Sequence, residues 1–97
     1  MAAAALLHLP AQSSAADSDG GVRLAAMCAS CHRLDGQDRD IPSIIGLDAD
    51  KLAAKLAAFR SGERRSQLMH AVALSLTDEE IATVSRYLAG LRREAAP

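Results

Sequence analysis

The sequence predicts an all-α domain of three to five short helices, and three observations support this prediction. Apolar residues recur at helical spacing in two segments, around residues 48–59 and 81–91. Thr77 and Glu80 stand three residues apart just before the second segment, which is the pattern of a helix-capping box. No segment shows the alternation of a β-strand over a useful length.

The N-terminal half of the domain is expected to contain one helix and one long loop. The acidic segment 17–19 precedes two glycines and is suited to cap a helix that leads toward the cysteines. Residues 33–47 lack sustained periodicity and contain two glycines and a proline, so we expect an extended loop there.

Three further helices are predicted in the C-terminal half. The first opens at Asp48 and ends at Ser61-Gly62, and a short helix follows through Leu74. The last helix begins after Thr77 and runs to about Leu91. Each long helix carries one apolar face, formed by Leu52, Leu56 and Phe59 on the first and by Ile81, Val84, Leu88 and Leu91 on the last.

The chain is too small and too poor in large side chains to build a strong core by itself. It has 97 residues, enough for one domain, and much of its 49% apolar content is alanine. Its aromatic residues are Phe59 and Tyr87. This composition excludes a multidomain enzyme and indicates that a cofactor or another staple fills the interior.

The charges exclude a nucleic-acid-binding role and are unevenly distributed. Eleven basic and twelve acidic residues give a net charge of −1, which offers no electrostatic footprint for nucleic acid. Residues 33–50 are mainly acidic and residues 51–75 mainly basic. The basic residues, Lys51, Lys55, Arg60, Arg64 and Arg65, form either a solvated face or a surface that steers an acidic partner.

Residues 1–16 are predicted to be an export signal, and residues 17–97 the mature domain. A short apolar stretch is followed by Pro10 and by small residues, the order of the apolar and cleavage regions of a secretory signal. No Lys or Arg precedes the stretch, so we expect an incomplete signal; an Ala-rich tail is the alternative. No apolar run is long enough to cross a bilayer, and the expected location is periplasmic.

Both cysteines lie in Cys28-Ala29-Ser30-Cys31-His32, the Cys-x-x-Cys-His pattern of covalent c-type haem attachment. Two thiols at this spacing reach two vinyl positions on one porphyrin edge and form thioether bonds. The residue after Cys31 is then held beneath the ring, and His is the usual proximal iron ligand. The sequence therefore predicts one covalent haem c, bound through Cys28 and Cys31 with His32 on the iron, whose apolar ring supplies the missing interior.

Cysteines at this spacing have three other uses in proteins. A thioredoxin-like redox pair needs a βαβ context, which the sequence lacks. A structural zinc site needs four ligands, and His8 and His70 are the only histidines besides His32. A disulfide between the two cysteines of an exported protein stays open as an alternative.

The residues alone give two candidates for the second axial ligand, Met69 and His70. Met69 follows a polar segment at which the chain can cross the opposite face of the haem, and its thioether would raise the reduction potential. His70 would give bis-histidine iron with a lower potential. Met69 can also be read as a core methionine.

From Gly20 to Leu91 the chain resembles the small monohaem cytochromes c of bacteria. The resemblance rests on the haem motif, on Gly20 and Leu24 at eight and four positions before Cys28, and on a loop similar to Pro-x-Leu-x-Gly at residues 42–46. A longer pattern over residues 59–88 is similar to di-haem cytochromes c and, closely, to the haem subunit of flavocytochrome c sulfide dehydrogenase.

The resemblance implies a cytochrome c-like fold and three roles for individual residues. It implies that Met69 is the second axial ligand. It implies that the carbonyl of Pro42 accepts a hydrogen bond from the Nδ1–H of His32 and so orients this ligand. It also implies that Gly20 allows a close contact between the first helix and Tyr87 on the last.

Electron transfer, not catalysis, is the expected function, because iron with two protein ligands has no open position. Redox proteins are the expected partners, among them a flavoprotein subunit. Two alternatives stay open. In one, the chain is a ligand-binding or catalytic haem subunit whose Met69 dissociates. In the other, it is a structural subunit that anchors a flavoprotein and relays its electrons.

Overall fold

The computed structural model describes residues 14–37 and 41–91, and within them it contains four α-helices and no strand. The all-α prediction is therefore confirmed. The helices are α1 (Ser14–Ala29), α2 (Ala49–Ser61), α3 (Gln67–Leu74) and α4 (Asp78–Ala89).

Helix α4 lies at the centre of the fold. It packs against both α1 and α2, and α3 packs against α2. The buried core joins α1, the long loop, α2 and α4, through Ala25, Ile45, Leu52, Val84 and Leu88. Within residues 14–37 and 41–91, few large side chains are fully buried, which agrees with the expectation of a thin core.

The long loop between α1 and α2 is anchored on the end of α4. Ile45 in this loop is 2% exposed, and the N–H of the following Gly46 donates a hydrogen bond to the carbonyl of Leu88 at 3.1 Å. Gly46 has a φ of +70°, a conformation that glycine adopts without strain. The loop is therefore held against the same core as the helices.

The ends of α2 follow the signals in the sequence. The Asp48 carboxylate accepts a hydrogen bond from the N–H of Lys51, which caps the N-terminus. At the C-terminus Gly62 adopts a left-handed conformation (φ +86°), and its N–H donates to the carbonyl of Phe59. Both predicted boundaries are confirmed.

Helix α4 begins with the predicted capping box. The Thr77 hydroxyl accepts from the N–H of Glu80 at 3.0 Å, and the Glu80 carboxylate accepts from the N–H of Thr77 at 2.9 Å. The helix ends at Ala89 with Gly90 at its C-cap, slightly before the predicted end near Leu91. The glycine explains the difference, because it favours the end of a helix over its interior.

The start of α1 was predicted wrongly. The helix is already formed at Ser14, so the acidic segment 17–19 and both glycines lie inside it. A Cβ on Gly21 would lie 2.6 Å from the Cβ of Tyr87, whereas one on Gly20 would meet Thr83 at an ordinary 3.6 Å. The close contact between α1 and α4 is therefore made at Gly21, not at Gly20 as the resemblance implies.

The predicted export signal falls mostly on residues that the structure does not describe. Residues 1–13 of it lie outside the described part, and its last residues belong to α1. The signal therefore stays a prediction. Among residues 14–37 and 41–91, no helix combines the length and apolar character that crossing a membrane requires.

Candidate functional site

The cysteine motif forms a tight turn at the C-terminus of α1. The N–H groups of Cys31 and His32 both donate to the carbonyl of Cys28, at 3.1 and 2.8 Å. Helix ends leave such carbonyls without partners inside the helix, and this turn provides partners for that of Cys28. The two thiols and the imidazole are thus held within five residues on one short piece of backbone.

The two sulfurs lie in different surroundings. Cys28 is half-buried, packs against the core cluster, and has its Sγ 3.6 Å from the carbonyl oxygen of Leu24. Burial raises the pKa of the Cys28 thiol, so the sulfur stays neutral in its apolar contact. Cys31 is exposed, and both cysteines are free thiols.

The imidazole of His32 is oriented by the long loop. Its Nδ1 lies 2.7 Å from the carbonyl oxygen of Pro42. Because a carbonyl only accepts, Nδ1 carries the proton, and Nε2 is the nitrogen with a free lone pair. This is the hydrogen bond that the resemblance implies, and it is confirmed. It fixes both the tautomer and the direction of a potential metal ligand.

An ion pair shapes the chain directly after His32. The Arg33 guanidinium lies 2.6 Å from the Asp35 carboxylate, and the N–H of Gln37 donates to the same carboxylate at 3.0 Å. The Arg33 hydrogen bond, helped by that of Gln37, holds the pKa of Asp35 below its usual range. Both side chains are partly exposed, so the ion pair stabilises the fold little and its role here is to define the turn.

Met69 lies in the first turn of α3, and its backbone is fixed by the helix cap. The Ser66 hydroxyl accepts a hydrogen bond from the N–H of Met69 at 3.1 Å. The Met69 residue itself is half-buried. The serine three residues before Met69 is a capping signal, so the sequence contained the information needed to predict the start of α3.

His70 is engaged with α2. Its Nδ1 lies 2.8 Å from the carbonyl oxygen of Phe59, in the last turn of α2, and again the carbonyl requires Nδ1 to be the donor. From the sequence, His70 is a candidate only as an iron ligand, and this contact was not predicted. The contact depends on how α3 packs against α2, which the sequence pattern does not contain.

Arg60 makes a second link between α2 and the segment after α3. Its guanidinium donates to the Asp78 carboxylate at 2.6 Å and to the carbonyl of Leu76 at 3.4 Å. The neighbouring Arg64 has its guanidinium carbon 5.0 Å from the centre of the Phe59 ring. Two members of the basic segment are therefore partly occupied by contacts within the protein.

The structure brings some of the predicted site residues together and leaves one apart. Cys28, Cys31, His32 and Pro42 meet where the end of α1 faces the long loop. Met69 lies on α3, and no extensive contact joins α1 to α3 within the described residues. The two halves of the predicted site are connected through α2 and α4.

The surroundings of these residues fit a large, flat, apolar cofactor. An exposed apolar side chain directly precedes a candidate residue at three places: Met27 before Cys28, Ile41 before Pro42 and Leu68 before Met69. These side chains are 43%, 40% and 63% exposed. Exposed apolar side chains beside candidate residues are the kind of surface that an apolar ligand covers. A covalently attached haem would cover such surface.

The donor set is unlike that of a structural metal site. Within the described residues, no group of three or more His, Cys, Asp or Glu side chains is arranged to hold a metal ion. The available donors are instead the thiols of Cys28 and Cys31, the imidazoles of His32 and His70, each with its Nδ1 on a backbone carbonyl, and the Met69 thioether. This set matches the needs of an iron porphyrin, which brings four nitrogen ligands of its own.

Comparison with known proteins finds similarity to cytochromes c. The family model for cytochrome c matches residues 18–92. The chain is 34% identical over 86 residues to the cytochrome subunit of sulfide dehydrogenase from Chlorobaculum tepidum, covering 88% of this chain and 77% of that protein. It is 33% identical over 78 residues to cytochrome c-554(548) from Halomonas halodenitrificans, covering 75% and 94% of the two chains.

A longer relative is also similar. The chain is 37% identical over 97 residues to the thiosulfate dehydrogenase electron acceptor from Stutzerimonas stutzeri, an alignment that covers 91% of this chain. The aligned part is 45% of that relative, so this chain spans less than half of its length. These relatives are named as cytochromes, a cytochrome subunit and an electron acceptor.

Proposed function

Because the chain belongs to the cytochrome c family, we propose that it transfers electrons through one haem c attached at Cys28 and Cys31, with His32 and Met69 as iron ligands. The observation that carries the proposal is the orientation of His32. Its Nδ1 donates to the carbonyl of Pro42 at 2.7 Å, which leaves Nε2 free to bind iron. The chain itself is an electron-transfer protein and not an enzyme.

The haem supplies one-electron chemistry as its iron changes between the ferric and ferrous states. The protein residues supply attachment, orientation and exclusion of water. Cys28 and Cys31 provide the thioether sulfurs, and the half-buried Cys28 side chain packs against the apolar core. Pro42 holds the tautomer of His32. A shell with few movable groups keeps the reorganisation that accompanies electron transfer small.

Two features support Met69 over His70 as the second axial ligand. The first is the resemblance over residues 59–88, which implies that Met69 is the ligand. The second is the position of His70, whose Nδ1 donates to the carbonyl of Phe59 on α2; because successive side chains on a helix point about 100° apart, Met69 lies on a different face of α3 from that contact. Its neighbour Leu68 is 63% exposed, as expected for a residue beside a cofactor face.

Substitution of Met69 tests this ligand. Met69→Ala should keep covalent haem but lose the ferric sulfur-to-iron band in the red, lower the reduction potential and admit carbon monoxide to the ferrous iron. Met27→Ala is the matched control, because Met27 is an exposed methionine beside the attachment site. The parent protein and the control should retain the band and bind no carbon monoxide.

Two results would count against the proposal. An unchanged band in Met69→Ala would mean that another group ligates the iron. Carbon monoxide binding by the parent protein at neutral pH would instead favour a ligand-binding or catalytic haem subunit whose Met69 dissociates.

The electron donor is inferred to be a dehydrogenase of reduced inorganic sulfur compounds. Two relatives are named for such enzymes, one as a subunit and one as an electron acceptor. A flavoprotein is the proposed partner, and the periplasm is the proposed location after removal of residues 1–16. Co-purification of a flavin-containing protein with the exported chain would support a bound subunit, and purification alone would support a free carrier.

N-terminal sequencing of the exported protein tests the proposed signal. A mature chain that starts near Asp17 is expected. Retention of residues 1–16 in the exported protein would overturn this assignment.

A further inference from the structure

We propose that His70 is a positioning residue, which holds Met69 at the iron by fastening α3 to the end of α2. The inference rests on Met69 being the axial ligand and adds a role for the residue next to it. A thioether is a weak, neutral ligand on a flexible side chain, so its binding depends on how well the backbone that carries it is placed.

The hydrogen bond of His70 joins two elements at the position of the ligand. Its Nδ1–H donates to the carbonyl of Phe59 at 2.8 Å, and the contact is partly buried. Phe59 lies in the last turn of α2, where carbonyl groups lack partners within the helix. The N–H of Gly62 donates to the same oxygen at 3.2 Å, so the carbonyl is held from two sides.

The backbone of Met69 and His70 is fixed at the start of α3. The Ser66 hydroxyl accepts from the N–H of Met69 at 3.1 Å, and the carbonyl of Ser66 accepts from the N–H of His70 at 2.8 Å. The two residues therefore move as one rigid turn. A tether on the His70 ring restricts the position of Met69 directly.

The far end of α3 is tethered to the same turn of α2. Arg60 donates to the carbonyl of Leu76 and to the carboxylate of Asp78, just beyond the C-terminus of α3. Phe59 and Arg60 thus hold both ends of the segment that carries Met69. Of the two tethers, that of His70 is adjacent to the ligand, whereas the second relies partly on the Asp78 carboxylate, which is 89% exposed, so the His70 tether should control the ligand more strongly.

The loss of this hydrogen bond should weaken the Met69–iron bond by making more orientations of α3 accessible. A neutral hydrogen bond contributes about 1 kcal/mol, which is about a fivefold change in an equilibrium constant. An external ligand that competes with Met69 for the iron should gain affinity by that factor, because its apparent affinity depends on how often Met69 is displaced.

The test is imidazole binding to the purified ferric holoprotein at one fixed pH, followed by loss of the sulfur-to-iron band. His70→Leu removes the donor and should bind imidazole about fivefold more tightly than the parent. His70→Asn places an amide N–H where Nδ1 lies, and its affinity should stay within about twofold of the parent. Recovery of the parent affinity in His70→Asn would show that the effect of His70→Leu comes from the lost hydrogen bond and not from the changed size of the side chain.

Val84→Ala is the control for general loss of stability. Val84 is 1% exposed in the core and takes no part in either tether. This variant should unfold at a lower temperature and keep the imidazole affinity of the parent.

The outcomes separate this inference from the proposal on which it rests. If His70→Leu binds imidazole with the same affinity as the parent, the positioning role is overturned while Met69 remains the ligand. The same holds if imidazole binding becomes tighter by an equal factor in His70→Asn and His70→Leu. A parent protein without a sulfur-to-iron band would overturn Met69 ligation itself. A His70→Leu variant that loses a native six-coordinate spectrum, beside an unaffected Met69→Ala, would identify His70 as the ligand and overturn both.

Discussion

At the scale of single residues, two histidines are oriented in the same way for different purposes. The Nδ1 atoms of His32 and His70 each donate to a backbone carbonyl, that of Pro42 and that of Phe59. In His32 the hydrogen bond directs Nε2 toward the proposed iron position. In His70 the hydrogen bond itself is the function, because it holds the neighbouring Met69.

The sequence allowed the first of these contacts to be predicted and not the second. The carbonyl of Pro42 follows from a resemblance in a short loop, and the structure contains it. The His70 contact joins residues of two helices whose relative position depends on side-chain packing. The close contact at Gly21 was missed for the same reason, since Gly20 and Gly21 differ only in which one faces Tyr87.

Ser85 provides a test of the core at this scale. The residue is 1% exposed, and its hydroxyl has no hydrogen-bond partner among the described residues. A buried polar group without a partner destabilises the folded state, and alanine also favours a helix more than serine does. Ser85→Ala should therefore raise the free energy of unfolding by about 1 kcal/mol. Chemical denaturation of the holoprotein measures the change, and a lower stability would indicate an unrecognised role for the hydroxyl.

At the scale of elements, the helix boundaries depend mostly on local capping groups. Asp48 and the Thr77–Glu80 box begin α2 and α4 where the sequence predicts them. Such boundaries are predictable because each cap involves residues two or three positions apart. Helix α1 was predicted to begin too late, because its two glycines were interpreted as part of a cap although one of them lies at a helix crossing.

The two glycines of α1 give a matched pair of substitutions. Gly21→Ala places a methyl group 2.6 Å from the Cβ of Tyr87 and should destabilise the protein by about 1–3 kcal/mol, despite a gain of about 1 kcal/mol in helix propensity. Gly20→Ala meets only an ordinary contact at 3.6 Å and should be neutral or stabilising by up to about 1 kcal/mol. Thermal unfolding of both variants measures their stabilities relative to the parent protein. Equal effects would contradict the assignment of the contact to Gly21.

At the scale of the whole molecule, the basic residues of the segment 51–75 are of two kinds, those with contacts inside the described part of the protein and those without. Arg60 and Arg64 make contacts within the protein, with Asp78 and with the Phe59 ring. Arg65 is exposed, and no contact is seen for it in the described structure, so it is free to act on a partner at a distance. This distinction was not visible in the sequence, where all the basic residues of the segment looked equivalent.

Charge reversal at Arg65 tests whether the basic segment steers an acidic redox partner. A change of two charge units about 10 Å from a partner charge in water alters the energy by about 0.8 kcal/mol, or about fourfold in rate. Arg65→Glu should slow reduction by an acidic partner by about that factor at low salt and have little effect at high salt. Arg23→Glu, at an exposed arginine of α1, is the control with the same charge change. Equal slowing by both variants would indicate an effect of net charge alone.

We propose that a single haem, bound through two sulfurs, provides both the interior and the function of this small protein. The most direct test is the intact mass of the protein exported from cells with haem-attachment machinery, measured under denaturing conditions together with its absorption spectrum. We expect a red protein with the mass of the polypeptide plus one haem, and neither property in Cys28→Ser with Cys31→Ser. A colourless protein with the mass of the polypeptide alone and two reactive thiols would contradict the account.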